Sequence, residues 1–154
     1  MEINDLIRET LALVSRELAR NQVALQTNLA ANLPALAADR VQVQQVLLNL
    51  IMNGIDAMSA IDSSSRKLTI TSERSQDPAG VLVMVRDSGT GISPQSRDRL
   101  FETFFTTKAG GMGMGLSISR SIVTAHGGRL LAAANADHGA TFQFTIPTAG
   151  ETSL

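Results

Sequence analysis

The sequence predicts a two-layer α/β sandwich: a mixed, mostly antiparallel sheet with three main helices on one face and one long loop. Three observations point there. The element signals run helix, strand, helix, strand, strand, long irregular segment, helix, strand, strand, so strands come in sequential pairs with few crossovers. At 154 residues the chain is one domain, residues 1–154, by length, and large enough to bury a core. With 44% hydrophobic and 18% charged residues, its composition is that of an ordinary globular protein.

Each element has its own signal. Asn4 or Asp5 can cap a first helix whose stripe is Leu6, Ile7, Leu11, Val14 and Leu18, and the first 20 residues read as amphipathic. Val23, Leu25, Thr27 and Leu29 alternate with polar neighbours, a strand pattern that ends before Pro34. Asp39 followed by Gln42 is a capping-box start for a second helix over about 41–60, with Val43, Val46, Leu47, Leu50, Ile51, Ile55 and Met58 facing a core. Ser63 to Ser65 make a turn. Strands follow over about 67–73 and 81–86, joined through Asp77, Pro78 and Gly80. From Asp87 to Gly115 the chain is rich in Gly, Ser and Thr, and so long an irregular segment inside a compact domain is usually a lid or binding loop. A third helix over about 115–126 stops at Gly127 and Gly128, and strands over about 129–134 and 140–146 complete the series.

Bulk properties exclude several classes. A net charge of −1 offers no electrostatic footprint for nucleic acid or an anionic membrane. Zero cysteines exclude disulfides, thiolate metal sites and cysteine nucleophiles, and fit a reducing compartment. No apolar run approaches the roughly 20 residues that span a bilayer, so the domain is expected in the cytoplasm, whether or not a parent chain is membrane-anchored.

Four segments carry chemistry. On the second helix Asn49, Asn53 and Asp56 stand at i, i+4 and i+7, on one face amid apolar residues. Neutral amide oxygens suit Mg²⁺ when a ligand's phosphates supply the negative charge, although a solvated polar face would look the same. The strand Val81–Arg86 runs into Asp87-Ser-Gly89-Thr-Gly91. A carboxylate at a strand end can accept a hydrogen bond from an exocyclic amine, and glycines let backbone approach a ligand, but turns favour the same residues. Next comes Phe101-Glu-Thr-Phe104-Phe105-Thr106-Thr107-Lys108, where the phenylalanines suit a hydrophobic cluster and the hydroxyls and ammonium suit phosphate oxygens. Last, Gly111-Met-Gly113-Met-Gly115-Leu116 leads straight into a helix, whose free N–H groups and dipole favour an anion. It follows no strand, and no Gly-x-x-x-x-Gly-Lys-Ser/Thr occurs, so neither a dinucleotide fingerprint nor a P-loop fits.

In that order, the four segments closely resemble the N, G1, F and G2 boxes of the sensor histidine kinase ATP-binding domain, part of the superfamily that includes DNA gyrase, the heat-shock chaperones and the mismatch-repair ATPases. The resemblance covers nearly the whole chain, and Gly139-Ala140-Thr141-Phe142 looks like that family's usual ending. It implies the Bergerat fold and ATP·Mg²⁺ as cofactor. Asn53 would hold the metal with Asn49 assisting; Asp87 would bind the adenine amine, aided by the Thr141 hydroxyl, with Gly89 and Gly91 letting the base approach. Phe101, Thr106, Thr107 and Lys108 would line the nucleotide site, and Lys108 with the amides of Gly111, Gly113, Gly115 and Leu116 would hold phosphates, under a lid of about 91–113. Hydrolytic relatives carry a general-base Glu one helical turn before the metal Asn; Asn49 stands there and cannot take a proton. The resemblance therefore implies slow hydrolysis, with Asn49 and Lys108 serving transfer of the γ-phosphoryl group to a histidine on a separate dimerisation hairpin, and a response regulator downstream. Gly54 stands where the family usually has Ala, and Asp56 where one subgroup has Lys or Arg. His126 and His138 read as capping and turn residues, so the acceptor is expected elsewhere in a longer kinase. Two other readings remain open at this stage: a stand-alone serine kinase of the anti-sigma-factor type and a catalytically silent nucleotide sensor.

Overall fold

The computed structural model describes residues 1–76, 79–91 and 115–148. Its elements are α1 (Ile3–Leu13), α2 (Ser15–Arg20), β1 (Ala24–Leu29), α3 (Arg40–Ala57), a single 3₁₀ turn (Ser63–Ser65), β2 (Lys67–Gln76), β3 (Ala79–Arg86), α4 (Gly115–Ala125), β4 (Leu130–Ala134) and β5 (Ala140–Pro147). The five strands lie in the order β1-β2-β3-β5-β4. Only the β1–β2 pair is parallel; the other three are antiparallel. The predicted mixed sandwich is the observed one.

Strict alternation along the inner strands explains the layering. Leu68, Ile70 and Ser72 of β2, Val81, Val83 and Val85 of β3, and Phe142, Phe144 and Ile146 of β5 are buried, whereas the residues between them are partly exposed. Side chains on successive residues point to opposite faces, so one face is covered and one is open. The covered face forms a single core with Leu6 and Ile7 of α1, Val43, Val46, Leu47, Leu50 and Ile51 of α3, and Val123 of α4. α3 starts as its capping box predicts: the Asp39 carboxylate accepts from the Gln42 amide at 3.1 Å.

Three local expectations are corrected. The first helix is broken at Val14, and neither Asn4 nor Asp5 caps it; α1 begins at Ile3 without a side-chain cap. Asn4 instead donates to the Ala30 carbonyl at 2.8 Å and accepts from the Ser72 hydroxyl at 2.7 Å, because a long-range pair of partners is on offer. The Thr10 hydroxyl bonds Leu6 O and the Ser15 hydroxyl bonds Ala12 O on either side of the break, local bonds that bend helices. The Val23–Leu29 alternation is a strand as expected, β1, which lies at the sheet edge with Leu25 42% exposed. Gly80 is not a turn residue. It sits in the ladder opposite Ser75 and Pro147, where a Cβ would lie 2.2 Å from the Ile146 carbonyl oxygen.

Candidate functional site

The end of β3 delivers Asp87 into the core-facing side of the sheet, where it is 3% exposed. Its backbone N–H donates to Ala140 O at 2.9 Å, which continues the β3–β5 pairing by one residue. One carboxylate oxygen, Oδ1, accepts from the amides of Gly89 (2.8 Å) and Ala140 (3.3 Å). The other, Oδ2, has no hydrogen bond to any described residue. Burial pushes this carboxyl above the ordinary carboxylate value, and the two backbone donors pull it back part of the way.

Two glycines shape the neighbourhood. A Cβ on Gly54 would sit 3.5 Å from Asp87 Cβ and 3.8 Å from Oδ2, so α3 passes directly beside the carboxylate. Gly89 packs on the last turn of α3, where a Cβ would lie 2.4 Å from the Ala57 carbonyl oxygen; the neighbouring Thr90 amide donates to that same oxygen.

One helical turn before Asn53, Asn49 ties α3 to α4. Its Nδ2 donates to Gly115 O (3.1 Å) and to the buried Ser119 hydroxyl (3.0 Å), and its Oδ1 accepts from Gln45 (2.8 Å). The first turn of α4 is thereby fixed beside the face of α3 that carries Asn53. The Asn53 side chain is half-buried and makes no hydrogen bond to a described residue. A carboxylate, two amide side chains and a helix N-terminus thus lie along the C-terminal half of α3. Among the described residues no group of three or more His, Cys, Asp or Glu could hold a metal by itself. The donor set therefore suits a cation that arrives with phosphate oxygens.

A family model for the histidine kinase-, DNA gyrase B- and HSP90-like ATPases matches residues 38–150. The chain belongs to this family. It is 46% identical over 149 residues to the sensor protein FixL of Bradyrhizobium diazoefficiens, covering 97% of this chain and 29% of that protein. It is 41% identical over 145 residues to the sensor protein TdiS of Thauera aromatica, covering 94% of this chain and 26% of that one. The chain thus spans under a third of these relatives' lengths. Among solved structures, the catalytic domain of the histidine kinase ThkA superposes with a TM-score of 0.82 at 34% identity, over 96% of this chain and 93% of that one. The molecule is thus a catalytic ATP-binding domain of the sensor histidine kinase type, with the α/β fold of those domains.

Within this kinase domain the predicted residues fall into three groups. Asn49, Asn53, Asp87, Gly89, Gly115 and Leu116 gather at one end of α3, with Leu116 half-buried against the core. Gly91 follows with φ +83°, beside Gly139, a backbone shape that glycine adopts without strain. Thr141 is not brought to the Asp87 carboxylate. It stands opposite Arg86 on the open face, and its hydroxyl donates to Asn135 Oδ1 at 2.6 Å; the neighbour that touches the carboxylate is Ala140, through its amide. Phe101, Thr106, Thr107, Lys108, Gly111 and Gly113, with nearly all of the predicted lid, lie outside the described residues. His126 caps as expected: one ring nitrogen meets Ile122 O at 2.8 Å and the other accepts from the Asp39 amide at 3.1 Å. Sequence reasoning missed Asn135, whose side chain bonds the Asp87 and His138 carbonyls as well as Thr141. Its only signal was an amide residue ending an alanine-rich strand four positions before Gly139.

Proposed function

We propose that this domain binds ATP·Mg²⁺ and supplies the γ-phosphoryl group to a histidine on a dimerisation hairpin of the full-length kinase, from which a response regulator is then phosphorylated. The observation that carries the nucleotide part is Oδ2 of Asp87, which lies beside α3 and has no hydrogen bond to a described residue. In this reading Oδ2 accepts the adenine amine, Gly54 keeps a side chain out of the space beside it, and Gly89 lets the segment after β3 lie against α3. Asn53 ligates Mg²⁺, which neutralises phosphate charge when bound. Asn49 acts alongside it, and the amides of Gly115 and Leu116 at the start of α4 face phosphate oxygens, as do Lys108, Thr106, Thr107, Gly111 and Gly113 on the intervening segment with Phe101. Positioning and charge neutralisation then supply most of the catalysis. The structure of full-length ShkA, a neighbour 28% identical with a TM-score of 0.82, was solved with AMPPNP, and ThkA has been solved in complex with the response regulator TrrA.

The test is phosphotransfer to a supplied hairpin. The parent domain with ATP·Mg²⁺ should place acid-labile, base-stable phosphate on the hairpin histidine. Asn53→Ala should lower ATP·Mg²⁺ affinity at least about tenfold, the worth of a hydrogen bond to a charged group or a comparable ligand contact. Asn53→Ala binding ATP·Mg²⁺ like the parent would remove the metal assignment, and phosphate appearing on a serine of a supplied partner protein, with none on the hairpin, would remove the histidine kinase reading.

A further inference from the structure

The β4–β5 turn is built around one side chain. Asn135 Nδ2 donates to Asp87 O at 3.0 Å and to His138 O at 3.1 Å, while its Oδ1 accepts from Thr141 at 2.6 Å. Its own N–H donates to Gly139 O at 3.0 Å, closing the turn. Gly139, at φ +87°, lies so close to β3 that a Cβ there would stand 2.1 Å from Asp87 O. The turn thus holds Asp87 at every backbone point: Ala140 O takes its N–H, Asn135 takes its carbonyl, and the Ala140 amide takes Oδ1. Of the Asp87 oxygens, Oδ2 alone has no hydrogen bond to a described residue.

We propose that Asn135 is a positioning residue for base selection: by clamping the Asp87 carbonyl to the β4–β5 turn it sets the direction of Oδ2, and Thr141 contributes by orienting the Asn135 amide, not by meeting the base. The proposal rests on the reading of Asp87 as the acceptor for a purine 6-amino group. Three side-chain bonds converge on Asn135, and a site built to accept from an amine rejects an analogue presenting an oxygen there, because acceptor then faces acceptor. Removal of Asn135 frees the Asp87 peptide to rotate and moves the Ala140 amide that pins Oδ1, so the discrimination should fall while phosphate contacts around Asn53 and the start of α4 are kept.

The experiment compares ATP with inosine triphosphate, which differs by an oxygen at that position, and inorganic tripolyphosphate, all with Mg²⁺, by titration of the folded domain. The parent should prefer ATP over inosine triphosphate. Asn135→Ala should reduce that preference at least about fivefold, on the order of one net hydrogen bond, with tripolyphosphate affinity within about twofold of the parent. Asn135→Asp keeps a turn-forming residue and the acceptor for Thr141 but loses both donors, so it should show the same loss even if the alanine variant folds poorly. Thr141→Val should show a smaller loss in the same direction. An unchanged preference in a folded Asn135→Asp protein would overturn the proposal and reduce Asn135 to a turn former. Asp87→Asn that left the preference untouched would instead overturn the underlying base assignment, so the two failures are distinguishable.

Discussion

Asp87 serves two opposing demands, and they separate with pH. Burial favours its neutral form, so the folded protein takes up this proton at a higher pH than the unfolded chain does. The folded state binds more protons through that window. The associated stability is therefore fully present below the unfolded value and is lost as pH rises through the folded one. Above the window the ionised carboxylate is a standing cost, which the proposed role of Oδ2 as an acceptor would explain. Asp87→Asn can still accept from Gly89 and Ala140 through its amide oxygen, yet presents NH₂ where Oδ2 stood. Its thermal midpoint should equal or exceed that of the parent near pH 7, and the difference should shrink as acid protonates the parent's carboxyl. ATP affinity in the same variant should drop about ten- to a hundredfold, the range for losing a hydrogen bond to a charged group. A parallel pair of melting curves from acid to neutral pH, with nucleotide titrations at neutral pH, checks both.

Between elements, the joint that matters most is the Asn49 bridge from α3 to Gly115 and Ser119. Ser119→Ala removes one of two acceptors from the Asn49 amide inside a buried contact, and should cost about 1 kcal/mol, or roughly 2–4 °C in melting temperature for a domain of this size. Differential scanning calorimetry would show it; an unshifted midpoint would mean that Gly115 alone holds the joint. That joint shows how far the sequence could be read. The i, i+4, i+7 spacing put Asn49 and Asn53 on one face of α3, and helix periodicity is a local property, so it was legible. That Asn49 spends its amide on α4 was not, because its partners are 66 and 70 residues away. Asn4 misled for the same reason: it found a better partner in space than along the chain. The Val23–Leu29 alternation correctly announced a strand but not its place at the sheet edge, since pairing order leaves no mark on a single strand's pattern.

At the scale of the whole molecule, no described helix is long and apolar enough to cross a membrane. The position one turn before Asn53 is held by an amide with its N–H groups already engaged, and nothing there can accept a proton from water. The isolated domain should therefore hydrolyse ATP at least about a hundredfold more slowly than the ~10 s⁻¹ of a median enzyme, as measured by phosphate release without a hairpin. Turnover near that median would contradict the role given to Asn49. The strand order has a consequence of its own. β5 is later in the chain than every other described strand, yet it lies inside the sheet between β3 and β4. While a ribosome is still making the chain, β3 has a bare hydrogen-bonding edge and β4 has nothing to pair with. The carboxylate of Asp87 likewise waits for the Ala140 amide. The arrangement around Asp87 therefore cannot form before β5 is made, and the nascent chain is most prone to sticking to its neighbours just before β5 arrives.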